Sequence, residues 1–99
     1  MIAHNTGKTL AGLFYLRTFI EQFARRKTAA KGRLAGDQIF DEYNKTLPDK
    51  QRDQMPSLRN WYDKLSEALH EAKSDNALFE QAKDEIERHF DFRRLYKIN

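Results

Sequence analysis

Residues Leu10 to Ala24 read LAGLFYLRTFIEQFA, the most apolar run in an otherwise polar chain. Leu10, Leu13, Phe14, Leu16, Phe19, Ile20 and Phe23 recur at steps of three and four, which is helical spacing. Their arc is too wide for a helix lying on a surface, so this spacing predicts the central helix of a small bundle. Arg17 and Glu21 sit inside the run, one turn apart. They form a candidate internal polar pair, either a structural clasp or the wall of a polar site. The run is too short, and its charges too central, for a membrane span.

The rest of the chain agrees with an all-α fold. Ninety-nine residues make one domain, 1–99, with a modest core. Val is absent, Gly and Pro are few, and strong helix formers abound, which disfavours sheet. Thr6 is a candidate N-cap for a first helix ending near Arg26. Thr28–Gly36 reads as a connection. A second helix over about Asp37–Thr46 places Ile39, Phe40, Tyr43 and Leu47 on one face, capped by Asp37 and stopped by Pro48. The segment from Pro48 to Pro56 is polar apart from Met55.

A third helix starts at Ser57, with Leu58, Trp61, Tyr62, Leu65, Leu69 and Ala72 as its stripe. Ser74-Asp75-Asn76 breaks it. A fourth, about Ala77–Phe90, turns Leu78, Phe79, Ala82, Ile86 and Phe90 inward. The tail 91–99 still carries Phe92, Leu95, Tyr96 and Ile98, so it either packs back or continues into more protein. The expected fold is a bundle of about four helices, mainly antiparallel.

Several chemistries lack their residues. There is no cysteine, hence no disulfide or thiolate metal site, which fits a reducing, cytoplasmic setting. His4, His70 and His89 have no metal-ligand spacing, so no metal and no cofactor are expected. Gly7-Lys8-Thr9 echoes the end of a phosphate-binding loop, but Ile2 stands where that loop needs its first glycine. No nucleophile motif is present.

Charge is uneven. Residues 1–50 hold nine Lys/Arg against five Asp/Glu, and residues 51–99 nine against ten. The excess gathers at Arg25, Arg26, Lys27, Lys31 and Arg33. At a helix C-terminus such cations suit the dipole, and they are also a candidate phosphate-contacting surface for nucleic acid. Trp61, Tyr62, Phe92 and Tyr96 are candidate aromatic contacts with a protein partner or a second copy.

Leu16–Arg26 (LRTFIEQFARR), Leu65–His70 (LSEALH) and the helix Ala77–Phe90 together resemble a helical family similar to the HEPN class of domains. The resemblance implies a four-helix module, often dimeric and often attached to larger nucleases of defence systems. Active HEPN members are metal-independent RNases with an arginine four to six residues before a histidine. Here lysines stand nearest to that arrangement, Lys64 before His70 and Lys83 before His89, so no catalytic residue is carried over. The expected function is a non-catalytic interaction or oligomerisation module. Nucleic-acid binding and a degenerate RNase are the alternatives.

Overall fold

A computed structural model describes residues 2–28 and 34–98, with side chains from residue 7 onward. All its regular structure is helical: α1 (Ile2–Lys27), α2 (Gly36–Lys45), α3 (Asp49–Arg52), α4 (Leu58–His70) and α5 (Asn76–Leu95). No helix among the described residues is long and apolar enough to cross a membrane.

The boundaries follow local chemistry where a side chain can reach the backbone. Ser57 caps α4, its hydroxyl accepting the Asn60 amide at 3.2 Å. Asp75 caps α5, its carboxylate accepting the Leu78 amide at 2.9 Å. Three boundaries differ from expectation. Thr6 lies within α1 rather than at its cap. Asp37 sits inside the first turn of α2, which begins at Gly36 after an extended Ala35. At Gly36 a Cβ would collide with the Tyr62 hydroxyl unless that side chain moved aside. Finally, α5 runs past Phe90 to Leu95, so most of the expected tail is helix.

Both α4 and α5 end the same way. The Lys73 amide donates to the Ala68 carbonyl and the Ala72 amide to Leu69, while Ile98 donates to Arg93 and Lys97 to Arg94. This double closure puts one residue in the left-handed region, Ala72 at φ 54° and Lys97 at φ 55°. It carries Ile98 back against the core. It also explains why Ala72 is exposed, although it falls on the expected α4 stripe; Ala68 is buried instead. Glycine lacks the Cβ that disfavours this conformation. Ala72→Gly and Lys97→Gly are each expected to stabilise the fold by about 0.5–1 kcal/mol, read as a raised urea midpoint. A lowered midpoint in both would count against this reading of the two ends.

The helix α1 touches α2, α4 and α5, and its broadest contact is with α4. Leu13, Leu16, Ile20 and Ala24 of α1 join Ile39, Phe40 and Tyr43 of α2, Leu58, Trp61, Leu65 and Ala68 of α4, and Ala82 and Ile86 of α5 in one core. Asp41 pairs with Arg59 and Phe40 packs on Tyr62, so α2 and α4 run oppositely. By contrast, Gly12 meets Phe79 while Phe19 and Phe23 meet Phe90, so α1 and α5 run in the same sense.

The central position of α1 is as expected, but its apolar arc is not fully covered. Phe14 is 56% exposed, Tyr15 66% and Phe19 37%.

Candidate functional site

The two halves of the expected Arg17–Glu21 pair separate. Glu21 takes Arg25 at 3.1 Å, one turn further on. Both pairs have the same spacing, but Glu21–Arg25 has the acid N-terminal to the base, the stronger order along a helix. Arg17 turns instead to α4. Its Nε donates to Ser66 Oγ at 2.8 Å and its Nη2 to the Tyr62 hydroxyl at 3.2 Å. Arg17 thus fastens α1 to α4 rather than pairing with Glu21.

The expected basic surface is partly engaged. Arg25 holds Glu21, and the Lys27 ammonium lies 5.8 Å from the centre of the Phe23 ring. Arg26 is exposed. Lys31 and Arg33 lie outside the described residues.

Of the expected partner-contacting aromatics, one is buried and three are half-buried. Trp61 is only 5% exposed. It falls on the α4 stripe with Leu58 and Leu65, and that stripe fills the core. Tyr62 is half-buried between Arg17 and Phe40. Phe92 and Tyr96 stack at 5.7 Å, and the Tyr96 hydroxyl donates to Gln54 Oε1 at 2.7 Å.

The core holds one polar cluster that the sequence reading did not assemble. Tyr43, His89 and Arg93 are all buried. His89 Nδ1 lies 2.7 Å from the Pro56 carbonyl oxygen, which can only accept, so Nδ1 carries the proton. Nε2 then accepts from the Tyr43 hydroxyl at 2.7 Å, and that oxygen accepts from Arg93 Nη1 at 3.0 Å. Burial pushes His89 down to about 4, with the Arg93 charge acting the same way and the Pro56 bond opposing. Burial pushes the Tyr43 phenol up to about 12, against the Arg93 charge and hydrogen bond. Both nitrogens of His89 are occupied by the protein itself, which leaves none for a substrate. His70 is exposed at the last residue of α4.

A signal for this cluster was present. Ala82, Ile86, His89 and Arg93 follow helical spacing, so the inward stripe of α5 continues through two polar residues.

Between α1 and α5 lies an open groove of about 440 Å³. Tyr15, Leu16 and Phe19 form one wall and Phe79, Ile86 and Phe90 the other, with Lys83 and Glu87 at the edge. Gly12 allows the helices this close, because a Cβ would sit 2.7 Å from Phe79 Cε1. The rings connect surface to core: Tyr15 stacks on Phe19, Phe19 meets Phe90 at 5.6 Å, and Phe90 meets Phe23 edge-on at 4.6 Å. Phe23 in turn packs on Tyr43. The groove is therefore held by rings anchored in the polar cluster, and its outermost rings are in water.

Among the described residues, no group of three or more His, Asp or Glu could hold a metal ion. The chain matches no protein-family model, no curated protein and no solved structure.

Proposed function

We propose that this chain is a non-catalytic helical interaction module whose contact surface is the α1–α5 groove. One observation carries the reading: Tyr15 and Phe19 remain exposed beside an apolar groove. Isolated exposed apolar residues are ordinary, whereas aromatic rings clustered over a concave apolar floor mark an interaction surface. Large rings with few rotatable bonds contribute most to such contacts. The displaced titratable groups support the same reading, because His89 and Tyr43 satisfy each other inside the core rather than facing a cleft.

Photo-cross-linking tests it. A benzophenone amino acid at position 15 or 19, in cells making the protein at its natural level, is expected to give an adduct of discrete mass. The same group at position 63, on the exposed side of α4, is expected to give none. No adduct from either groove position would end this proposal.

A further inference from the structure

We infer that the α1–α5 face, with its groove, is covered by a second copy of this chain, related by a two-fold axis; this rests on the interaction reading above. The argument starts from the alignment of the two helices. Gly12 meets Phe79, and Phe19 and Phe23 meet Phe90, so Tyr15 lies level with Lys83 and Phe19 level with Glu87. Tyr15 and Phe19 are one turn apart, and so are Lys83 and Glu87. All four line the same groove.

A two-fold axis lying in this face and crossing both helices midway along that turn reverses the second copy. Tyr15 of each copy then meets Phe19 of the other, and Lys83 of each meets Glu87 of the other. An isologous interface has to be complementary to itself, and one ring pair and one charge pair, each offset by a single turn, satisfy that at a common axis. A different partner places no such demand on the spacing.

The charges are also available. Neither Lys83 nor Glu87 has an ion-pair partner among the described residues, whereas Arg88 pairs with Glu85 and Arg94 with Asp91 on the same helix. Lys8 and Arg26 approach across the same axis at the exposed ends of the face, where salt screens them. The aromatic centre therefore sustains the dimer as ionic strength rises.

Sedimentation of charge-reversed variants decides the matter. The unmodified chain is expected to be dimeric at about 100 µM. Lys83→Glu and Glu87→Lys each place like charges opposite one another twice, and each is expected to weaken the dimer by about tenfold or more. Mixing the two variants restores both attractions, so the mixture is expected to recover the dimer, as is the double variant K83E/E87K. Both positions are exposed, so each variant is expected to fold, which circular dichroism checks. A monomeric unmodified chain, single variants that dimerise normally, or a mixture that fails to recover would overturn the second copy as occupant. If the cross-link at position 15 then shows an adduct of another mass, the interaction reading survives without the dimer. If no adduct forms, both fall.

Discussion

Acidification from pH 6.5 to pH 4 is expected to remove about 3 kcal/mol of folding stability through His89 alone. In the unfolded chain His89 binds its proton near 6.5, and in the folded protein only near 4. Between those values the unfolded state binds more protons. The contribution is therefore complete above pH 6.5, declines as the pH falls through the window, and is gone below about 4. Protonation would force a donor onto Nε2, which now accepts from Tyr43, and would set a second cation beside Arg93. A loss of this size matters in a domain whose total stability is about 5–15 kcal/mol.

Urea midpoints measured in half-unit pH steps report the slope. The ring-carbon shift of His89 reports its titration independently of unfolding. The expected result is falling stability below pH 6.5 together with a native-state midpoint near 4. Flat stability between pH 6.5 and 5, or a native midpoint near 6.5, would refute the neutral buried imidazole.

Such a cluster is hard to find in a sequence because its parts are remote. Tyr43 and His89 are 46 residues apart, and Tyr43 and Arg93 are 50. Local rules act over one or two turns, and they mark the starts of α4 and α5 but not those of α1 and α2. Ser57 and Asp75 mark their helices because each bonds to an amide three residues away. The long apolar run of α1 announced a central helix for the same reason, since its spacing is a property of one segment.

Which part of that run would be covered is a different kind of fact. It depends on where α4 and α5 lie, and Phe14, Tyr15 and Phe19 carry no local mark separating them from Leu13, Leu16 and Ile20. The partner of Arg17 was equally remote. Glu21 offered the nearest acid, but Ser66 and Tyr62 became available only once α4 had docked. Trp61 is buried for the same reason: aromatic content marks interfaces and cores alike, and only packing divides one from the other.

That division can be measured on Trp61 and Tyr15. Trp61→Ala is expected to cost about 3–5 kcal/mol, because it removes a buried ring and leaves a cavity among Leu58, Leu65 and their neighbours. Tyr15→Ala removes a ring that is 66% exposed and is expected to change stability by no more than about 0.5 kcal/mol. The two effects on association run the other way. Tyr15→Ala should abolish cross-linking from position 19 while the fold persists, whereas Trp61→Ala should act on association only through loss of the fold. Trp61 is the chain's one tryptophan, so the unmodified protein should emit at the short wavelength of a buried indole and shift to the red on unfolding. Far-ultraviolet dichroism follows the variant that lacks it. A Trp61→Ala protein with an unchanged urea midpoint, or an unmodified protein with the emission of a solvated indole, would return Trp61 to the surface as one of the four expected contact aromatics, with Tyr62, Phe92 and Tyr96.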